Sequence, residues 1–137
     1  MSILITGSII VDDAAFKILL NSIAKFFPQD MEFIEGFIER NRCITIKIKY
    51  KDQKISLKLV PEVYQNCLSL KIFKVFLPDY GNINISGLMN IFAGILTKYL
   101  DKYQVKVDGK YLCLPDIKSN VAGIREDEIF FKGTWVL

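Results

Sequence analysis

The chain has 137 residues, of which 51% are hydrophobic and 24% are charged, and its formal net charge is +3. This length fits one domain, residues 1–137, whose core is large enough to need no metal or disulfide. The modest charge does not indicate a nucleic-acid-binding protein. The absence of histidine excludes Ser-His and Cys-His catalytic pairs and imidazole metal sites.

Residues 3–11 are rich in β-branched side chains and predict a first strand. Asp12 or Asp13 is then a natural N-cap for a helix over 13–27, which has one apolar face and ends at Pro28. A further strand is predicted over Met31–Arg40.

A meander follows, in which apolar and polar side chains alternate over 44–50, 55–59 and 68–72. Such alternation is typical of an antiparallel sheet with one buried face and one solvent face. The phase of the alternation slips at Phe73, which predicts a bulge or bend in the third of these strands.

The second half predicts a turn over 78–82 and then a helix over 86–103, capped by Asn84 or Ser86. Residues 80–97 contain no charged side chain, and a helix that is apolar most of the way round is typically buried. Two hairpins close the chain, over 105–114 with an Asp108-Gly109 turn and over 121–136. The predicted fold is α+β, with a curved antiparallel sheet wrapped around the long apolar helix and a second helix near the N-terminus.

The three cysteines, Cys43, Cys67 and Cys113, lie in apolar runs without a C-x-x-C spacing, which predicts buried free thiols and a reducing compartment. The N-terminus MSILITGSIIVDD has no basic region before its apolar run, so we expect no signal peptide. No apolar window is long enough to predict a transmembrane helix. These features favour synthesis in a reducing cytoplasm.

No set of residues predicts catalysis. Asp12 and Asp13 are interpreted as helix caps, and the acidic run 126–128 as a solvated turn. Glycine-rich phosphate-binding motifs are absent from the sequence. We therefore expect a protein that is not an enzyme and holds neither cofactor nor metal.

Two groups of residues are candidates for binding. The first, called the lysine patch below, lies on the predicted solvent face of the sheet and would attract an anionic phospholipid surface or an acidic partner; it comprises Lys47, Lys49, Lys58 and Lys71. The alternative is an ordinary solvated face. The second is a predicted apolar groove or interface, with simple core packing as its alternative; it comprises Leu88, Phe92, Gly94, Tyr99 and Trp135.

The central ISGLMNIFAGILTKYLDKY, followed by KVDGKYLCLPD and DEIFFKGTW, resembles one half of a tubular lipid-binding (TULIP-like) domain. In that family a curved sheet wraps a long helix, and many members hold lipid between the two. The chain is shorter than a full unit of that family.

Its size, its composition rich in Ile, Lys and Asn, and its expected lack of a signal peptide also resemble the small OrfX-type accessory proteins. These are encoded beside clostridial neurotoxin genes. The resemblance implies a non-enzymatic accessory protein that is made in the bacterial cytoplasm, docks on a larger OrfX-type partner, binds anionic lipids such as phosphoinositides, and is released with a toxin complex. It assigns no specific site residue. The alternative function is a small carrier of hydrophobic ligands, with an internal cavity between the two helices and the sheet.

Overall fold

A computed structural model describes residues 3–77 and 85–136, and within these ranges it shows eight strands and two helices. In chain order they are β1 (Leu4–Asp12), α1 (Asp13–Ala24), β2 (Met31–Glu39), β3 (Cys43–Tyr50), β4 (Gln53–Tyr64), β5 (Cys67–Phe76), α2 (Ile85–Leu100), β6 (Lys106–Asp108), β7 (Tyr111–Arg125) and β8 (Glu128–Val136). The predicted turn over 78–82 and the predicted cap at Asn84 lie outside the described residues.

The predicted fold, a sheet wrapped around a long apolar helix, is wrong. The described part of the chain is mostly β, with one eight-stranded antiparallel sheet and two short helices. The strand order is β1-β8-β7-β5-β4-β3-β2, and β6 pairs with β7 beside this path.

Helix α2 packs on the sheet with one face only. Leu88, Met89 and Ile95 are buried, whereas a stripe of small and polar residues at helical spacing is exposed, namely Ser86, Asn90, Gly94 and Thr97. The lack of charge in this segment therefore does not mean that the helix is enclosed, because uncharged polar groups and glycine can face water at little cost.

Two local features predicted from the sequence are confirmed, the cap of α1 and the bulge in β5. Helix α1 has Asp12 as its N-cap, and the carboxylate of Asp12 accepts a hydrogen bond of 2.8 Å from the backbone N–H of Ala15. The slip at Phe73 is a bulge, since Lys58 pairs with Lys74 while Leu59 pairs with Ile72. This bulge leaves Phe73 without a partner on β4.

The predicted separation of 110–114 from 121–124 is wrong, because 111–114 and 121–124 lie in the single strand β7. Leu114 pairs with Leu68 on β5, but Lys118 pairs with Cys67, so three residues bulge out between these pairs. Pro115 has no N–H to donate to a neighbouring strand, and the bulge accommodates it. The second half of β7 then pairs with β8.

The sheet curls, so that its two edge strands approach each other at one end. The backbone N–H of Ile38 in β2 donates to the carboxylate of Asp13, the first residue of α1, at 2.8 Å. The turn between β2 and β3 contacts the turn between β7 and β8, with the N–H of Asn41 donating to the carbonyl of Glu126 at 2.9 Å. The N–H of Glu126 donates to the side-chain oxygen of Asn41 at 2.6 Å. The curl creates a concave face on which both helices lie.

Two clusters of buried residues form the core on this face. Phe16 and Leu20 of α1 and Met89 of α2 belong to the first cluster. Leu88 and Ile95 of α2 belong to the second, which contains Met31, Ile48, Ile55 and Leu57 of the sheet. Each cluster therefore joins the helices to several strands.

Candidate functional site: an apolar cavity under the helices

A cavity of about 260 Å³ lies between the concave face of the sheet and the two helices. Among the described residues that line it, every side chain is aliphatic or aromatic, and Tyr99 alone carries a polar atom. The volume is close to the lower end of the range of about 300–1,000 Å³ that is common for small-molecule sites.

The roof of the cavity comes from both helices. Leu19 and Ile23 of α1 and Phe92 and Tyr99 of α2 face it. The two helices meet where the ring of Phe26, just after α1, packs edge-to-face on Tyr99 with centroids 5.9 Å apart. Leu19 is 37% exposed, so the cavity reaches solvent on the side of α1.

The floor of the cavity comes from strands that are far apart in sequence. The alternation of side chains along each strand directs one set of residues into it, among them Ile46, Leu57, Leu70, Leu112 and Phe131. Since the floor spans β3 to β8, the cavity exists only when the whole sheet has assembled and curled.

The chemistry of this cavity restricts what it can hold. A polar or charged group placed among these side chains would lose its hydrogen bonds to water without replacement. Empty cavities lined by Leu, Ile and Phe stay dry and accept apolar molecules. The arrangement of the described lining residues therefore suits an apolar ligand.

The five residues of the predicted apolar groove do not form one site. Phe92 and Tyr99 line the cavity, and Leu88 is buried in the second core cluster. Trp135 is outside the lining, but its ring lies 6.1 Å from that of Phe131, which lines the cavity. Gly94 is exposed, and a Cβ added there would meet nothing within 4 Å. Gly94 therefore belongs neither to the lining of the cavity nor to the core among the described residues.

The lysine patch is less positive than the sequence predicts. Lys47 forms a 3.1 Å ion pair with Glu35, and Lys58 forms a 3.0 Å ion pair with Glu39. Lys71 lies 5.8 Å from the centre of the Tyr111 ring. The acids come from β2, which pairs with β3 so that Glu32 lies opposite Lys49. Sequence reasoning missed them because alternation within a strand does not say which strand lies beside it.

The half-buried Glu39 and Lys58 form a cluster with the buried Cys43 on the convex face. The thiol of Cys43 donates to Glu39 at 3.0 Å, and Lys58 donates to both carboxylate oxygens at 3.0 Å. These hydrogen bonds, that of Cys43 first, lower the pKa of Glu39 below its ordinary value of 4.5. Burial, followed by the nearby Glu39 carboxylate, raises the pKa of the Cys43 thiol, so that it is protonated at neutral pH.

We expect the free energy of unfolding of Glu39→Gln to depend less on pH in the acid range than that of the wild type. Because the folded state holds the pKa of Glu39 below 4.5, the ionised carboxylate stabilises the fold above that pH, and this contribution is lost as the pH falls through the folded-state pKa. The variant should be less stable at neutral pH, by about 1 kcal/mol. Urea denaturation from about pH 6 down to about pH 3 measures both effects.

Glu35→Gln is the matched control, since its ion pair with Lys47 is about half exposed. Exposed pairs contribute little, so this control should follow the wild-type profile. Equal pH dependence in the wild type and Glu39→Gln would contradict the prediction.

The cysteines are free thiols, as predicted, with Cys43 and Cys67 buried and Cys113 half-buried. The carboxylates of Glu126, Asp127 and Glu128 lie within 4.8 Å of one another in the β7–β8 turn, which is largely exposed. Its exposure agrees with the interpretation from sequence that this is a solvated turn.

A larger cleft of about 540 Å³ opens on the convex side, lined in part by Ile34, Lys54 and Phe76. It is wide open and borders Leu77, the last described residue before the gap. The cavity under the helices is the better candidate, because the described residues that line it are uniformly aliphatic or aromatic, whereas the cleft has the charged Glu35, Lys47 and Lys54 in its lining.

Neither described helix is long and apolar enough to cross a membrane. Comparison of the chain with protein-family models, with curated proteins and with solved structures finds no match. The resemblance to tubular lipid-binding and OrfX-type proteins therefore stays a prediction.

Proposed function

We propose that this protein binds a small apolar molecule, such as one alkyl chain, in the cavity between its helices and its curled sheet. The observation that supports this function is the lining of the cavity, in which Tyr99 alone carries a polar atom among the described residues. The role is that of a carrier or sensor, and it assigns no reaction to the chain.

If the cavity holds an apolar molecule, burial of apolar surface drives the binding. Each methylene group taken out of water contributes about 0.8 kcal/mol, which corresponds to an affinity gain of about fourfold per carbon. Affinity should therefore rise along a series of straight-chain alcohols until the cavity is full. A polar head group placed inside the cavity should weaken binding, because Tyr99 alone carries a polar atom among the described residues of the lining.

Docking on a larger OrfX-type partner and attraction to phosphoinositides are the functions that the resemblance implies, and they stay predictions. The ion pairs of Lys47 and Lys58 reduce the free positive charge on which attraction to an anionic surface would depend. The cavity is thus the stronger basis for a function.

We expect Leu70→Trp to weaken the binding of a long-chain alcohol by about tenfold or more, because a larger ring would occupy the cavity and overpacking opposes any rearrangement. Leu70 lies on the cavity floor in β5. The measurement is isothermal titration calorimetry on protein from which bound lipid has been removed.

Val63→Trp is the matched control, because Val63 is 37% exposed and lies outside the cavity. It should bind the alcohol as the wild type does. The proposal fails if the two variants bind equally well, or if affinity does not depend on chain length in the wild type.

A further inference from the structure

The two edges of the sheet are built differently. Edge strand β2 carries the exposed acids Glu32 and Glu35, and its register shifts between Phe33 and Glu35. The backbone N–H of Ile38 is already bonded to Asp13. Charges, a bulge and a covered N–H are the features by which proteins prevent pairing at a sheet edge.

Edge strand β1 has none of these protections between Leu4 and Val11. This stretch contains no charged residue, and its pairing with β8 is regular over nine residues. Leu4 is 68% exposed and Ile10 is 55% exposed. Among the described residues β1 pairs with β8 alone, so its other edge presents backbone groups that no strand meets.

The sequence of β1 is complementary to itself about Gly7. When two copies of the strand run antiparallel with Gly7 opposite Gly7, Leu4 lies opposite Ile10 of the second copy and Thr6 lies opposite Ser8. Ile5 lies opposite Ile9 in the same arrangement. Residues directly opposite each other lie on the same face of a sheet, so every apolar side chain meets an apolar one. Asp12 stays outside the stretch that pairs.

We propose that β1 is the interface between two copies of this chain, which join their sheets edge to edge about a two-fold axis at Gly7. The symmetry favours a second copy over an unrelated strand, because one sequence supplies both halves of each matched pair. The arrangement uses the β1 edge of both copies and the β2 edges are protected, so assembly stops at the dimer. The proposal does not depend on the apolar ligand.

The test replaces Leu4 and Ile10, the two exposed side chains that the two-fold axis places opposite each other, with charged residues. Sedimentation velocity over a range of protein concentrations should show wild-type protein reaching twice the chain mass of 15.7 kDa. Leu4→Lys/Ile10→Lys places two like charges together in each of two pairs and should raise the dimer dissociation constant by about tenfold or more. Leu4→Lys/Ile10→Glu places opposite charges together and should restore the dimer.

Ile18→Lys/Val63→Lys is the control for added charge, since both positions are exposed and lie outside β1. It should dimerise as the wild type does. Circular dichroism on each variant should report an unchanged fold, because the substituted side chains are exposed. The proposal is overturned by a wild type that stays monomeric up to about 0.5 mM, by assemblies larger than a dimer, by a dimer that survives Leu4→Lys/Ile10→Lys, or by failure of Leu4→Lys/Ile10→Glu to dimerise.

Discussion

Gly133→Ala is expected to lower the free energy of unfolding by about 1–3 kcal/mol or more. Gly133 lies in β8 opposite Ser119, beside the irregularity between Ser119 and Val121 in β7. A Cβ at this position would overlap the backbone carbonyl of Lys118. A backbone group cannot rotate away as the end of a side chain can, so β7 and β8 would have to separate.

Gly7→Ala provides the matched control, because Gly7 is the residue of β1 that pairs with Gly133. A Cβ at position 7 would meet nothing within 4 Å. Urea denaturation of the two variants at one protein concentration compares them directly, and Gly7→Ala should be as stable as the wild type or slightly more stable. Equal effects of the two substitutions would contradict the close approach of the Lys118 backbone to Gly133.

Leu88→Ala is the second substitution with a large expected effect, a loss of about 2–5 kcal/mol of unfolding free energy. Leu88 is 2% exposed and packs in the second core cluster, where it joins α2 to the sheet. Truncation removes buried methyl groups and leaves a cavity between these layers. The same denaturation experiment measures the loss.

Ile85→Ala, three residues earlier in the same helix, separates packing from helix propensity. Ile85 is 48% exposed, and alanine favours helix more than isoleucine does, so this control should change stability by less than about 0.5 kcal/mol. If Leu88→Ala were as mild as the control, α2 would not be held on the sheet by this face.

Stability and ligand binding are connected in this fold. The side chains around the cavity lack contacts that they would make in a filled core. A ligand that occupies the cavity should therefore stabilise the protein by mass action. Leu70 contacts the first core cluster and also lines the cavity. Variants of the cavity floor therefore need their unfolding free energies measured beside their affinities.

The local elements could be predicted because each depends on neighbouring residues. Asp12 caps α1 since its carboxylate reaches the N–H of Ala15, three residues along the chain. The bulge at Phe73 is visible in the sequence as a change in the phase of alternation. The alternation of apolar and polar side chains likewise identified β3 and the first part of β4, because it depends only on which side chains can face a core.

The placement of α2 could not be predicted in the same way. An uncharged helix can be enclosed or can lie on a surface, and the deciding feature is the stripe that includes Asn90 and Gly94. The joining of two predicted segments into β7 was also hidden, because Pro115 is a reason to end a strand unless a bulge accommodates it.

By itself, then, the sequence determined the approximate positions and faces of most strands, the cap of α1, the free thiols and the lack of any histidine-based site. Only the tertiary structure decided which strands are neighbours, and hence that Glu35 and Glu39 pair with Lys47 and Lys58. It also decided that side chains from β3 to β8 surround one apolar cavity. The physical reason is that alternation specifies a face for each residue, whereas pairing depends on contacts between segments far apart in the chain.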